Sequence, residues 1–145
     1  MLKTVREKFQ VPASTEHLAM VRDRVRECVD LAGVPEKIAN QVVLASDEAV
    51  TNVINHSFNN DGVSEVEIEV AVDGEKIMLT VRDEAPPFDP TVMPDPNMEE
   101  HVKAGKKGGL GIYLMRKIMD EMTHRVLNGG VNELVLVKNL PSEEG

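Results

Sequence analysis

The stretch "EVEIEVAVDGEKIMLTVRD", residues 65–83, narrows most sharply what this chain can fold into. Two runs alternate apolar and polar residues on either side of Asp73-Gly74. That period of two, interrupted by a turn dipeptide, is the signature of a β-hairpin. Such a hairpin has one apolar face and one charged face, so it needs a sheet to extend it and a layer to cover its apolar side.

The rest of the chain supplies both. Val5, Phe9 and Val11 alternate in residues 2–11 before Pro12, which predicts a first strand. Ser14 suits the N-cap of a helix carrying Leu18, Val21, Val25, Cys28 or Val29, and Ala32, which Gly33 ends. Pro35 suits the start of a second helix from about Glu36 to Phe58, followed by the turn cluster "NNDG". Residues 84–107 hold five of the eight prolines and little periodicity. They predict a long loop, of the kind more often a lid or binding loop than filler. Glycines 108, 109 and 111 open a third helix to about Glu121, and apolar runs near 122–128 and 131–138 flank Asn128-Gly129-Gly130 as a closing hairpin. The order β-α-α-β-β-loop-α-β-β predicts an α/β chain of the α+β type: one domain over 1–145, a two-layer sandwich, its mostly antiparallel sheet covered on one face by helices.

Bulk properties exclude several function classes. A formal net charge of −9 over 145 residues argues against a nucleic-acid-binding surface, although local donors and Mg²⁺ still permit ATP. No apolar run reaches the roughly 20 residues of a membrane helix, and "MLKTVREKFQ" has no signal-peptide core, so a soluble, cytoplasmic protein is expected. The single Cys28 rules out an internal disulfide framework and a cysteine zinc site.

The second helix carries an odd polar face. At about 100° per residue, Gln41, Asn52 and Asn55 fall within about 40° of Glu48, with His56 further round. Ile38, Val42, Ala49, Val50 and Val53 take the opposite arc. Asn is a poor helix former and an unusual choice for a solvated surface. The face reads either as a solvated stripe or as a set of oxygen ligands, in which a Glu and an Asn one turn apart orient a hydroxyl and supply an oxygen to Mg²⁺. His56 reads as packing or capping. Asp83 ends the hairpin before "EAPPFDP", either as turn chemistry or as an acceptor for an amino group on a ligand base. "KKGGLGIYLMRKIMDE" combines glycines, a helix start and two lysines. It suits either a hinge or a phosphate cradle, and it is neither a Walker loop nor a Rossmann fingerprint.

In this order, "LASDEAVTNVINHS", "VRDEAPPFDP" and "GGLGIYLMRKIMDE" resemble the boxes of the GHKL ATPases, which share the Bergerat nucleotide-binding fold. Within them the chain looks most like the bacterial anti-sigma-factor serine/threonine kinases, over nearly its whole length. The resemblance implies ATP and Mg²⁺ as cofactors. It implies Glu48 as general base toward an acceptor serine, Asn52 as the Mg²⁺ ligand and Asn55 in support. Asp83 would accept from the adenine amino group. Gly108, Gly109, Leu110 and Gly111 would offer backbone amides to phosphate, and Arg116 would reach phosphate or the partner. The implied partners are an anti-anti-sigma protein as substrate and a sigma factor, and related kinases act as homodimers. The sequence departs from the pattern at Ala85, where the family has Gly. A methyl there either weakens nucleotide binding or is absorbed by the pocket. Three other readings compete: a non-catalytic module that binds a sigma factor or antagonist, a domain detached from a larger regulator, and the ATPase domain of a sensor histidine kinase. The last needs a phosphoacceptor histidine in a dimerising helical hairpin, and upstream of the site only His17 and His56 are on offer, both inside the domain.

Overall fold

The structure, a computed structural model, describes residues 3–87, 89–92 and 110–141. Strand β1 is Val5–Pro12, helix α1 Leu18–Ala32 and helix α2 Glu36–Asn52. Strands β2 and β3 are Glu65–Val72 and Lys76–Asp83, helix α3 is Leu110–Ile118, and strands β4 and β5 are Glu121–Leu127 and Val131–Asn139. All five strands join one antiparallel sheet in the order β1-β2-β3-β5-β4, and α1 and α2 pack on its apolar face. This is the two-layer α+β sandwich that the alternation implied.

The two hairpins turn for different reasons. Between β2 and β3, Asp73 Oδ1 accepts the backbone N–H groups of Glu75 and Lys76, each at 2.8 Å. Gly74 does not take a positive φ, so the aspartate side chain makes the turn. Between β4 and β5, Gly129 and Gly130 have φ of +88° and +81°, a region that penalises any side chain.

Helix α2 is the spine of the covering layer. Ala39, Ala45 and Ala49 are buried, and their small side chains let α2 lie between α1 and α3 and touch both. Below it, Ile68, Ile77, Leu79 and Leu136 are fully buried, each contributing about 1.5–3 kcal/mol by leaving water. Two helix ends fall short of the sequence expectation. The α-helical part of α2 stops at Asn52, and the chain continues as a π-turn, Val53–Ser57, closed by the Phe58 N–H on the Val53 carbonyl at 3.1 Å. Helix α3 ends at Ile118 rather than near Glu121. The Lys138 ammonium caps the Ile118 carbonyl at 2.7 Å, and the Asp120 N–H already bonds Val137 across the sheet at 2.8 Å.

The uncovered face of the sheet carries a charge ladder. Arg82 on β3 donates to Glu67 and Glu69 of β2, both at 2.9 Å, and to Glu133 of β5 at 2.8 Å. Arg6 of β1 pairs with Glu69, and Arg125 of β4 reaches Glu133 at 2.5 Å. All five strands are thereby linked by side chains as well as by backbone. Glu69 and Glu133 are buried under these arginines. Burial pushes both carboxyls up, but the arginine hydrogen bonds outweigh it and hold them below the ordinary range. Among the described residues, no helix is long and apolar enough to cross a membrane.

Candidate functional site

Asp83 keeps the parity of Ile77, Leu79 and Val81, so it faces the helices instead of solvent and is only 7% exposed. Its Oδ1 accepts two donors, the Ala85 N–H at 2.9 Å and Asn132 Nδ2 at 3.1 Å. No hydrogen bond from a described residue falls on Oδ2. Burial raises the Asp83 carboxyl above the ordinary range, and the bonds from Ala85 and Asn132 offset this in part.

Asn132 lies on β5 directly opposite Asp83 in register. Its Nδ2 also donates to the Ala85 carbonyl at 2.8 Å, and its Oδ1 lies 3.2 Å from His124 Nε2. His124 Nδ1 in turn faces Asp89 at 3.8 Å. Asn52, Ser57, Asp83, Pro90, His124 and Asn132 line one cavity between α2 and the sheet. Its volume is ≈ 20 Å³, room for about one water. Pro90 belongs to a 3-10 turn, Pro90–Val92, which Arg116 of α3 clamps by donating to the carbonyls of Pro90 at 3.1 Å and Thr91 at 2.8 Å.

Glu48 stands one helical turn before Asn52 on α2, but its carboxylate lies against α3. A Cβ built on Gly111 would fall 2.6 Å from Glu48 Oε2, so only glycine permits this approach. Burial, then the neighbouring Asp47, raises the Glu48 pKa above the ordinary carboxylate range. Asp47 is itself tied to Arg22 of α1 at 2.8 Å.

The structure thus brings Asn52 and Asp83 to one cavity and Glu48 to Gly111. Asn55 it leaves exposed in the π-turn, outside that cavity, because helical spacing no longer applies beyond Asn52. His56 is exposed as well. Ala85 is buried, and its φ is not positive. Leu110 opens α3, and the lining expected from Gly108 and Gly109 lies outside the described residues. Among the described residues no cluster of His, Cys, Asp and Glu forms a ready-made metal cage. A cation bound beside Asn52 would therefore rest on one amide oxygen and on oxygens of the ligand itself, the usual habit of Mg²⁺. Asn132 and His124 escaped the sequence reading. The signal for Asn132 was a polar residue on the parity of Leu134 and Leu136 in β5.

Comparison with known proteins identifies the family. The model of the histidine kinase-like ATPase domain family matches residues 11–138, and the chain belongs to that family. Within it the chain is related to RsbW-type kinases. It is 28% identical over 123 residues to the serine-protein kinase RsbW of Staphylococcus aureus, covering 80% of this chain and 76% of the relative. Two solved structures share the fold. One holds the RsbU and RsbW domains of a Mycobacterium tuberculosis protein, with a TM-score of 0.62 at 18% identity; the match covers 93% of this chain and 32% of that longer one. The other is the SiaB–SiaC complex of Pseudomonas aeruginosa, with a TM-score of 0.66 at 15% identity, covering 90% of this chain and 88% of that one.

Proposed function

We propose that the chain is a Mg²⁺- and ATP-dependent protein serine/threonine kinase and anti-sigma factor. It phosphorylates a serine of an anti-anti-sigma protein, and a sigma factor competes with that substrate for the kinase in the cytoplasm. The observation that carries the reading is the meeting of Asn52 and Asp83, from a helix and a strand distant in sequence, at one cavity. The donor set fits the cofactor chemically. Asp83 offers a free carboxylate oxygen to an amino-bearing base, and Asn52 offers an amide oxygen to a hard cation. Room for a base requires this cavity to widen, since ≈ 20 Å³ admits only a water.

Mg-ATP, when bound, supplies the phosphoryl group and a cation that offsets its charge. The chain contributes position and a proton acceptor. Glu48 takes the proton of the acceptor hydroxyl on its carboxylate, and a pKa raised by burial suits a general base. Asn52 holds the metal side, Asp83 the base, and the backbone around Gly108–Gly111 the phosphates. Arg116, which clamps Pro90 and Thr91, sets the turn beside the cavity. The non-catalytic alternative leaned on Ala85, and the ordinary φ of Ala85 removes the backbone part of that objection.

Calorimetric titration with ATP, with and without Mg²⁺, tests the reading together with phosphate transfer to a purified antagonist protein. Mg²⁺-enhanced binding and transfer to serine are expected. Binding without transfer would leave a nucleotide-dependent binding module, and no binding would remove the kinase reading.

A further inference from the structure

We propose that His124 is a positioning residue for the base-recognising carboxylate, acting through Asn132. The inference rests on the nucleotide reading of the cavity and adds a residue and a specificity role to it.

The hydrogen-bond chemistry fixes the roles. The Ala85 carbonyl can only accept, so the group of Asn132 that faces it at 2.8 Å must be the amide N–H. The other N–H of the same NH₂ goes to Asp83 Oδ1 at 3.1 Å. The Asn132 oxygen is therefore the atom 3.2 Å from His124 Nε2, and that nitrogen must carry the proton. The imidazole N–H thus satisfies the amide oxygen and anchors the Asn132 side chain, and the amide loads Asp83 Oδ1. With the Ala85 N–H also on Oδ1 at 2.9 Å, Oδ2 is the oxygen left to accept from a ligand. The His124 side chain is 7% exposed, and its far nitrogen faces Asp89, one residue before the turn that Arg116 clamps. The β4–β5 hairpin thus bonds Asp83 and Ala85 through Asn132 and lies beside Asp89 through His124.

Without the His124 donor, the buried Asn132 oxygen is left without its partner, and the amide loses one of the three bonds that hold it against Asp83 and Ala85. The carboxylate is then directed less firmly. The loss should fall on recognition of a base amino group and not on phosphate or ribose. ATP and ITP differ there: the hypoxanthine of ITP carries a carbonyl where adenine carries the amino group.

The test measures Mg-ATP and Mg-ITP affinity by calorimetry for wild type, His124→Phe and His124→Gln, with thermal melts alongside. Phe keeps the ring shape and removes the N–H, whereas the Gln amide can return a donor near the Nε2 position. The wild type should prefer ATP by at least about tenfold, since a site built to bond a polar group rejects its isostere. His124→Phe should weaken ATP roughly three- to tenfold, the scale of one lost hydrogen bond, and leave ITP within about twofold. His124→Gln should restore most of the preference. Equal loss for both nucleotides would make His124 a packing residue and overturn the proposal, as would an unchanged ATP/ITP ratio in His124→Phe. If His124→Phe does not fold, nitrogen-15 resonances of the wild-type ring decide: a protonated Nε2 is expected, and a bare one overturns the proposal. A wild type that binds neither nucleotide, or does not tell them apart, defeats the underlying nucleotide reading instead.

Discussion

Gly111 and Glu48 approach so closely that a single methyl on residue 111 would meet the Glu48 carboxylate oxygen at 2.6 Å. The start of α3 and the middle of α2 therefore share the space around Glu48, the proposed general base. Gly111→Ala should push the carboxylate aside. That movement is cheap for the fold, because the displaced atom is the end of a flexible side chain, and Ala gains about 0.5–1 kcal/mol over Gly within a helix. The expected result is a melting temperature equal to or above wild type with phosphate transfer reduced by about tenfold or more. Equal transfer in the two proteins would place the working position of Glu48 elsewhere.

Asn52→Ala should weaken ATP binding in Mg²⁺ more than in a chelator. The amide oxygen lost from the cation is replaced by water, and metal-free binding does not use it. Titrations in the two buffers compare the losses, and equal losses would assign Asn52 to folding or to the base.

Ala85→Gly separates a steric account of the family departure from a structural one. Ala85 is buried, its φ is not positive, and it does not line the cavity with Asp83. The variant should melt lower, by about 0.4–1 kcal/mol of unfolded-state entropy, with ATP affinity within about twofold of wild type. Marked tightening of ATP would show that the methyl crowds the base after all.

How far the sequence was legible follows the range of the interactions. The β2–β3 hairpin, the helix start at Pro35 and the closing hairpin at Gly129-Gly130 all rest on local spacing and turn chemistry, and each stands where expected, whereas Ser14 caps a 3-10 turn, Thr15–His17, that leads into α1. Glu48 and Asn52 share a helix, so their relation was readable too. Asn132 meets Asp83 only because β5 inserts beside β3, 49 residues away in the chain, and local periodicity carries no trace of that pairing. The same holds for the ladder through Arg82, which joins Glu67, Glu69 and Glu133 across three strands. The π-turn at Val53–Ser57 defeated the helix wheel at Asn55, since a wheel assumes a constant angle per residue.

Arg82→Met should cost about 3 kcal/mol, the lower end of what removing one partner from a buried ion pair costs, because Arg82 remains 23% exposed. The pH dependence follows from the sign of the shifts. Glu69 and Glu133 have depressed pKa values, so their stabilisation is present above their unfolded pKa and is lost as pH falls through the folded values. Asp83 and Glu48 are raised and act oppositely, their cost being relieved on acidification. The gap between wild type and Arg82→Met in urea melts should therefore narrow as pH falls below the carboxylate range. A gap independent of pH would mean that Arg82 stabilises by packing alone.

The most direct test of the account is phosphoryl transfer by Glu48→Gln, measured beside ATP affinity on the same preparation. Gln keeps the shape of Glu48 and removes its basicity. The account predicts ATP affinity within about threefold of wild type and transfer to the antagonist serine lower by roughly 10²- to 10⁴-fold. In the wild type, the raised Glu48 pKa predicts that transfer declines on acidification while pH is still above the ordinary carboxylate range, and the residual rate of Glu48→Gln should lack that limb. Transfer by Glu48→Gln at the wild-type rate, or with the wild-type pH limb intact, would contradict the account.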